Sequence, residues 1–400
     1  MYSLHFMALS TRGALLSPSR IGDVNRSRVL QAFCDHGPLS RAELAKLAGV
    51  TRATIGNITN GLIEAGLIEE HAPREANGVG KPATPLWFAP GAGLSGAAAL
   101  TQGSFEVGLV DARGEVVEFA EGSFDADAPT DAELRARLGR AFDRILPTDT
   151  DRLLGMGIAV PGVCDTERGV IVGSGQIPAL QGASLVESLS RRFGLRVLVD
   201  NDARSQALGE KWFGLGRGEP TFASIQTGHG LGVGLVLDGV VYRGDRGQTG
   251  ELGHTTVTLD GPRCRCGLAG CWETVASLGW LRQEARRRRL RDPSSLDAAR
   301  LVAVASSGRV ATGLLDDYAD HLAVGMANLV QLLNPRLIIL HGDVVGGGEI
   351  LRARIEHHVQ ERVLPNLRDG LRVELSDLDQ RAGLLGAAAL VLSETFKLVS

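Results

Sequence analysis

The segment from residue 250 to residue 277 concentrates side chains that could hold a metal ion. A neutral imidazole and three thiolates satisfy the tetrahedral coordination of Zn²⁺, and four protein ligands leave no open position for a reactive water. A chance cluster of loop cysteines is the alternative, but three of the chain's five cysteines lie within a few residues of each other here. The spacing predicts a structural zinc site bracketed by two carboxylates, within the set Glu251, His254, Cys264, Cys266, Cys271 and Glu273.

A second polar group, Asp200-Asn201-Asp202, directly follows a short apolar stretch at 196–199. We predict a strand over 196–199 and a helix over 203–213. In open α/β sheets, ligands bind at the carboxyl ends of the strands, so this group is a candidate ligand site. An ordinary turn at a strand end is the alternative interpretation.

The elements that must position these residues alternate between strands and helices after about Gly96. Strands are predicted over 105–110, 115–119, 153–160, 222–226, 235–238 and 337–340. Helices are predicted over 132–146, 185–193, 281–291, 314–333, 350–363 and 382–392. The arginine run 286–289 is interpreted as a solvated helix face, with a second DNA contact as the alternative. This alternation predicts two α/β lobes with a cleft between them.

The first ninety residues have a different pattern, in which short helices are separated by tight turns. A first helix is predicted to end at Gly37-Pro38, and Ser40 with Glu43 forms the capping-box signature of a second helix. Gly49 marks a tight turn, after which Thr51 can cap a third helix that ends at Gly66. Two short helices joined by such a turn are typical of a helix-turn-helix, with a packing or dimerisation module as the alternative.

The third helix would then lie in the DNA major groove, with its N-terminal residues on base edges. Residues 20–60 carry six Lys or Arg and three Asp or Glu, a local net charge of +3 in a chain whose net charge is −4. After the helices, glycines at 78 and 80 predict a hairpin turn that would form a wing, with a plain linker as the alternative. The expected DNA contacts are Ser40, Arg41, Thr51, Arg52, Thr54, Asn57 and, on a phosphate, Lys81.

Composition restricts the class of protein. The chain of 400 residues is 44% hydrophobic and 22% charged, which is ordinary for a globular protein. A net charge of −4 indicates that any nucleic-acid surface is local. No apolar run reaches the length of a membrane span, and the N-terminus has no secretory signal pattern. The remaining cysteines, Cys34 and Cys164, fit a reducing compartment. We therefore expect a cytoplasmic protein with a disordered N-terminus over 1–20.

Taken together, these motifs resemble the ROK family, named for repressors, open reading frames and kinases. The resemblance covers nearly everything from about residue 24 and rests on the glycine run 228–234, Gly250-Glu251-Leu252-Gly253-His254, the cysteine cluster, Glu273-Thr274 and residues 200–203. It implies an actin-like (ribonuclease H-like) ATPase fold of two α/β lobes. The leading helix-turn-helix and the Gly-Lys-Pro-Ala-Thr stretch at 80–84 are similar to those of the family's repressors.

The resemblance also implies domains and sites. We expect a winged helix-turn-helix domain over 21–90, a first lobe over 91–212 completed by about 385–400, and a second lobe with the zinc site over 213–384. His254, Cys264, Cys266 and Cys271 resemble the family's zinc ligands. Carboxylates accept hydrogen bonds from sugar hydroxyls and an amide both donates and accepts. The implied sugar site consists of Gly162, Asn201, Asp202, Glu251, His254 and Glu273.

Three departures from the family's kinases bear on catalysis and on the ligand. Ala99 stands where the kinases have the Asp of an Asp-x-Gly-x-Thr turn, and His229 stands where Thr is usual. Gln176 stands near a position where Asn often contacts the sugar. Asp202 resembles the catalytic base, but an apolar residue at position 99 cannot orient Mg²⁺ or its waters. We therefore expect no kinase activity, with an ATP-dependent sugar kinase carrying a DNA-binding domain as the alternative.

The predicted function is that of a sugar-responsive transcriptional repressor. A homodimer or tetramer would bind a palindromic DNA operator and leave it when a monosaccharide binds between the lobes. Activation, or repression that needs the sugar, stays open, because the sequence does not fix the sign of the coupling.

Overall fold

The computed structural model describes residues 18–72, 84–125, 130–150, 153–182, 185–245, 247–306, 308–378 and 381–396, with side chains from residue 24 onward. Within these ranges, no helix combines the length and the apolar character needed to cross a membrane.

The N-terminal head is a winged helix-turn-helix, as predicted. Its elements are α1 (Pro18–His36), β1 (Leu39–Ser40), α2 (Arg41–Ala48), α3 (Arg52–Glu64), β2 (Ile68–Glu70) and β3 (Pro85–Phe88). Strand β3 lies between β1 and β2 and pairs antiparallel with both. The predicted wing tip, with its turn glycines, Arg74 and Lys81, lies outside the described residues.

Local sequence explains where the head helices begin and end. Ser40 and Glu43 form the predicted capping box, in which Ser40 Oγ accepts from Glu43 N at 3.3 Å and Glu43 Oε2 accepts from Ser40 N at 2.7 Å. Gly49 ends α2 with a φ of 67°, a left-handed conformation that glycine adopts without steric cost. Thr51 caps α3 by accepting from Thr54 N at 3.2 Å.

The start of α1 departs from the expectation that residues 1–20 are disordered. The helix begins at Pro18, and proline suits the first helical position because its φ is already helical and its missing N–H has no partner there. Residues 1–17 lie outside the described residues, so the expectation stands untested for them.

The first lobe is built on a five-stranded sheet of order β10-β7-β4-β5-β6. β4 pairs parallel with β7 and β7 with β10, whereas β4, β5 and β6 are antiparallel neighbours. The elements are β4 (Leu94–Thr101), β5 (Ser104–Val110), β6 (Val116–Ser123), α4 (Asp131–Ile145), β7 (Leu153–Val160), β8 (Val163–Asp165), β9 (Val170–Gly173), α5 (Leu185–Phe193), β10 (Val197–Asn201) and α6 (Asp202–Phe213).

The second lobe repeats this arrangement in the order β13-β12-β11-β14-β15. Three antiparallel strands are again followed by two parallel pairings, β11 with β14 and β14 with β15. The elements are β11 (Phe222–Thr227), β12 (Gly232–Leu237), β13 (Val240–Val241), α7 (Glu273–Ala276), α8 (Leu278–Arg287), α9 (Ala298–Ala305), α10 (Arg309–Leu333), β14 (Leu337–Gly342), α11 (Gly348–Arg362) and β15 (Arg372–Leu375). The last helix, α12 (Ala382–Thr395), returns to the first lobe. The repeated topology confirms the predicted two-lobed α/β fold.

Helices α6 and α12 lie side by side between the two sheets. α12 packs on β4 and β7 of the first lobe, and α6 packs on β11 and β12 of the second lobe. Glycine permits this close contact, because a Cβ atom on Gly386 would lie 2.0 Å from Ser205 O and one on Gly157 would lie 1.8 Å from Ala387 O. Helix α6 therefore touches both lobes.

Several elements differ from the sequence-based expectation, and two of them have a clear physical reason. α8 occupies Leu278–Arg287 instead of 281–291, because Ser277 caps its start and Arg289 adopts a left-handed φ of 58° after its end. β4 was not predicted as a strand, because alanine and glycine have low β-propensity. Its central position in the sheet buries Ala97 and Ala98 completely, and this burial outweighs the weak propensity.

Candidate functional site

Asn201 and Asp202 lie at the junction of β10 and α6, as the strand-end pattern predicts. Asn201 caps the helix, its side-chain oxygen accepting from Arg204 N at 3.2 Å. Its Nδ2 lies 2.9 Å from Gly162 O and 2.9 Å from Asp202 Oδ1. The structure thus places Gly162, Asn201 and Asp202 in one hydrogen-bonded group.

Glu251, His254 and Glu273 form the other half of the predicted sugar site. Glu251 and His254 lie in a 3-10 turn, where His254 Nε2 is 3.9 Å from Glu251 Oε2. The other ring nitrogen, Nδ1, is 3.7 Å from Oε1 of Glu273, whose side chain is 9% exposed. The two nitrogens of one imidazole ring therefore face the two carboxylates.

Electrostatics links the two halves. The pKa of Asp202 is raised to about 6, chiefly by burial and also by the nearby charge of Glu251, against the lowering effects of backbone hydrogen bonds and Arg204. Glu251 is therefore near enough to Asp202 for its charge to act on that carboxyl.

The three cysteines and His254 gather beside Glu273, whose Oε1 accepts from Cys264 Sγ at 3.1 Å. One ligand atom from each of His254, Cys264, Cys266 and Cys271 lies within 4.8 Å of all the others. Cys264 Sγ is 3.6 Å from His254 Nδ1, and Cys266 Sγ is 3.7 Å from Cys271 Sγ, far longer than a disulfide bond. A hydrogen bond from the backbone of Leu268 lowers the pKa of Cys266, whereas burial raises the pKa values of Cys264 and Cys271. The cluster can hold a tetrahedral metal ion, whose positive charge would keep all three as thiolates.

A cavity of about 1240 Å³ opens between the lobes and has Asp202 in its wall. Ala99, on β4, and Glu106, its partner on β5, line this cavity from the first lobe. Asp297 and Asp343 line it from the second lobe. Among the other two departures from the kinase pattern, His229 is exposed between β11 and β12, and Gln176 is half-buried after β9.

Sequence reasoning missed two buried polar groups near this cavity. One joins Asp200 to Arg204 and Arg243. In the other, His341 Nε2 lies 3.3 Å from Glu210 Oε1, and burial raises the pKa of Glu210 to about 7 and lowers that of His341 to about 4. The signal in the sequence was a charged residue inside an apolar helix pattern, at Arg204 and at Glu210. Asp200 lies only one turn before Arg204, but the other partners, Arg243 and His341, are distant in sequence.

The residues expected to contact DNA fall into two sets. Arg52 and Asn57 are exposed on α3, and Thr51 and Thr54 at its start hydrogen-bond each other through their hydroxyls at 2.9 Å. Ser40 is 8% exposed, and its hydroxyl is used in the capping box.

Arg41 is held within the head, because it donates to Glu70 Oε1 at 2.6 Å and to Thr59 Oγ1 at 3.2 Å. Ser40 and Arg41 therefore stabilise the helix-turn-helix itself. The exposed members of the predicted DNA-contacting set are Thr51, Arg52 and Asn57, at the start of α3 and along it. Lys81 lies outside the described residues.

The head packs directly on α6 and α12. Phe88 of β3 stacks on Phe396 with ring centroids 5.9 Å apart, and Phe396 stacks on Trp212 of α6 at 5.8 Å. The Arg217 guanidinium lies over the ring of Trp87 at 5.5 Å. These residues share one hydrophobic core with the head helices.

Known protein families match both parts of the chain. The sequence model of the ROK family matches residues 98–394, which include most of both lobes and every residue of the predicted sugar and metal sites. The sequence model of the MarR family matches residues 23–76, within the head.

Individual relatives cover the chain to different extents. The xylose repressor of Caldicellulosiruptor bescii is 29% identical over 384 residues, which cover 93% of this chain and 96% of the repressor. The glucokinase of Thermotoga maritima is 33% identical over 301 residues, which cover 72% of this chain and 94% of the enzyme. A solved structure described as a ROK family transcriptional regulator, a homolog of the E. coli MLC protein, superposes with a TM-score of 0.76 at 30% identity. That superposition covers 94% of this chain and 97% of the other.

Proposed function

Because the chain belongs to the ROK family, we propose that it is a sugar-responsive transcriptional repressor. The observation that carries the proposal is the joining of a winged helix-turn-helix to a complete two-lobed body. The xylose repressor of C. bescii is similar over 93% of this chain. The alignment with the T. maritima glucokinase covers 94% of that enzyme but leaves more than a quarter of this chain unmatched.

We propose that the ligand is a neutral monosaccharide held by Gly162, Asn201, Asp202, Glu251, His254 and Glu273. Carboxylates and an amide suit a set of adjacent hydroxyls, and hydrogen bonds to ionised groups are the stronger kind. Glu251 and Glu273 would repel a phosphate group, which favours an unphosphorylated sugar.

We propose that His254, Cys264, Cys266 and Cys271 hold a structural Zn²⁺. Tetrahedral coordination with Zn–S of about 2.3 Å and Zn–N of about 2.0–2.1 Å gives edges of roughly 3.8 Å between sulfurs and roughly 3.6 Å between sulfur and nitrogen. The distances of 3.7 Å between Cys266 and Cys271 and 3.6 Å between Cys264 and His254 fit these edges. The Nδ1 side of His254 faces the cysteines, which leaves Nε2 toward Glu251 and the sugar. Zinc binding at Nδ1 would place the ring proton on Nε2, available to a sugar oxygen.

We propose that the protein has no kinase activity. Phosphoryl transfer depends on groups that position Mg²⁺ and neutralise the phosphates. Ala99 lines the interlobe cavity where the family's kinases carry an aspartate, and carboxylates at Glu106, Asp297 and Asp343 also line it. A retained Asp202 could accept the proton of a sugar hydroxyl, but an anionic carboxylate cannot neutralise a triphosphate.

We propose that a dimer presents two α3 helices to a palindromic operator, with a tetramer as two such dimers. Sugar bound between the lobes would favour an arrangement in which the heads no longer match the half-site spacing. The sugar must bind this released state more tightly than the DNA-bound state, since a ligand shifts an equilibrium only through differential affinity.

Operator release is tested by pairing a sugar screen with a DNA-binding measurement. The DNA is selected from a random duplex library with the full-length protein, and monosaccharides are screened by thermal shift. A sugar that stabilises the protein and weakens binding to the selected duplex supports the proposal. Unchanged DNA affinity across the whole sugar panel would overturn it.

The kinase alternative is tested by ADP release from ATP with each stabilising sugar. We expect no turnover above that of Asp202→Asn. Turnover that disappears in Asp202→Asn would establish the enzyme instead.

A further inference from the structure

Asp200 is a completely buried carboxylate held by two arginines. Nε and Nη2 of Arg204 both lie 2.7 Å from its Oδ1, and Nε and Nη2 of Arg243 lie 3.0 Å and 2.9 Å from its Oδ2. Its Oδ1 also accepts from Asn201 N at 2.7 Å. Both carboxylate oxygens therefore have charged partners, as a buried ion needs if its desolvation is to be offset.

The two arginines come from different parts of the fold. Arg204 lies in the first turn of α6, two residues after Asp202. Arg243 lies in the crossing segment, here residues 242–245 and 247–250, which follows β13 of the second lobe and precedes Glu251. The pair Arg243–Asp200 therefore joins the segment that carries Glu251 to the strand that carries Asn201 and Asp202.

Further contacts fix the crossing segment on the first lobe. Arg204 Nη1 donates to Thr249 O at 3.2 Å, and Thr249 Oγ1 donates to Tyr242 O at 2.8 Å, which closes the segment on itself. A Cβ atom on Gly247, whose φ is 65°, would lie 2.8 Å from Cys164 O. The segment thus runs against β8 with no room for a side chain at position 247.

We propose that Asp200, Arg204 and Arg243 are positioning residues of the sugar site, which set the separation between Asp202 and Glu251. This inference rests on the proposed sugar-binding function. The three side chains hold together two carboxylates that would otherwise repel each other, and the pair of arginines supplies one positive charge beyond what Asp200 neutralises. Loss of Arg243 would free the crossing segment and let Glu251 move away from the first lobe.

The test compares sugar binding by full-length variants at Arg243. Arg243 is the suitable site because its side chain is 33% exposed, whereas that of Arg204 is 2% exposed and its loss endangers folding. Arg243→Met keeps the aliphatic stem and removes the charge, and Arg243→Lys restores a charge. Arg362→Met is the matched control, because Arg362 is 34% exposed and is paired with Asp320 on α10.

The measurements are calorimetric binding of D-xylose and D-glucose, melting temperature, and amide hydrogen exchange. We expect Arg243→Met to weaken binding of whichever sugar the wild type binds at least tenfold. Amide exchange should become faster in the crossing segment, residues 242–245 and 247–250. We expect Arg243→Lys to stay within about threefold of the wild type. Arg243→Met should melt somewhat below Arg362→Met, because it leaves one oxygen of the buried Asp200 without a charged partner, but it should still unfold in a single cooperative transition.

Two results would overturn the inference, and they are distinguishable. If the wild type binds a sugar and Arg243→Met binds it within twofold, the positioning role is wrong while the proposed function stands. If the wild type binds neither these sugars nor any other in the panel, the proposed function and this inference fail together.

Discussion

Lys211 Nζ lies 2.8 Å from Asp35 Oδ1, which joins α6 of the body to α1 of the head. The same helix begins at Asp202 with Asn201 as its cap, so its first turn belongs to the predicted sugar site. Twelve residues at about 1.5 Å per residue separate its ends by roughly 18 Å. A single rigid element thus contacts the sugar site at one end and the head at the other.

This arrangement predicts that Lys211→Met uncouples sugar binding from DNA release. The side chain of Lys211 is 14% exposed, so the pair with Asp35 is only weakly screened by solvent. We expect sugar affinity within about twofold of the wild type, because the sugar site lies at the other end of the helix. The factor by which sugar weakens DNA binding should shrink, and it is measured by fluorescence anisotropy of a labelled operator with and without sugar.

A charge reversal provides the control for this coupling. Lys211→Glu combined with Asp35→Lys keeps an ion pair between α6 and α1 with opposite polarity, and it should recover much of the response. A full response in Lys211→Met would show that the coupling does not need this ion pair, and would leave it to the aromatic contact of Phe88, Phe396 and Trp212 and to the contact of Arg217 with Trp87.

Zinc removal is predicted to destroy sugar binding. Cys266 is the exposed member of the cluster, so Cys266→Ser removes a ligand with little loss of packing. We expect the metal content to fall well below one zinc per chain, the melting temperature to drop, and sugar binding to disappear because His254 is no longer held. Mass-spectrometric metal analysis and thermal shift measure these effects. Cys34→Ala, which removes a buried thiol in α1, should keep one zinc per chain.

Sugar affinity is predicted to fall as the pH is lowered through about 6. The pKa of Asp202 in the folded protein is about 6, because burial disfavours its ionised form. Protonation removes the charge that strengthens its hydrogen bonds to sugar hydroxyls. Calorimetric titrations between pH 5 and pH 8 should show this step in the wild type. The step should be absent in Asp202→Asn, and its persistence there would assign the titration to another group.

The same pKa shift makes a prediction for stability. Folding raises the pKa of Asp202 from its ordinary 3.8 to about 6, so the folded state binds this proton more tightly than the unfolded state does. Ionised Asp202 therefore costs folding free energy, a cost that is absent below about pH 4 and complete above about pH 6. The stability of Asp202→Asn relative to the wild type should rise across this interval by up to about 3 kcal/mol, as measured by urea unfolding.

Much of the fold could be predicted because its signals are local. The capping box at Ser40, the left-handed Gly49 and the apolar strand 153–160 each depend on neighbouring residues, and the structure has all three. β4 could not be predicted, because the burial that makes Ala97 and Ala98 a strand comes from β5, β7 and α12. Propensity alone does not contain that information.

The candidate site also has a part that local sequence predicts and a part that depends on the tertiary fold. His254 and the three cysteines lie within one short segment of the sequence, so their spacing alone indicates that they bind one metal ion. The contact of Arg243 with Asp200 and that of Lys211 with Asp35 join distant parts of the chain. Neither Arg243 nor Lys211 belongs to a recognisable sequence motif. The tertiary fold alone brings these pairs together.

DNA recognition is predicted to depend on Arg52 more than on Arg41. Arg52 is the exposed first residue of α3, where a helix in the major groove directs side chains at base edges. We expect Arg52→Ala to weaken specific operator binding by about 1–3 kcal/mol with an unchanged melting temperature. Arg41→Ala should instead lower the melting temperature, since Arg41 pairs with Glu70 and Thr59 inside the head.

Arg309→Ala is the control, because Arg309 is likewise the exposed first residue of a helix but lies in the body. A footprint and affinity unchanged by Arg52→Ala would place the recognition surface elsewhere than at the start of α3.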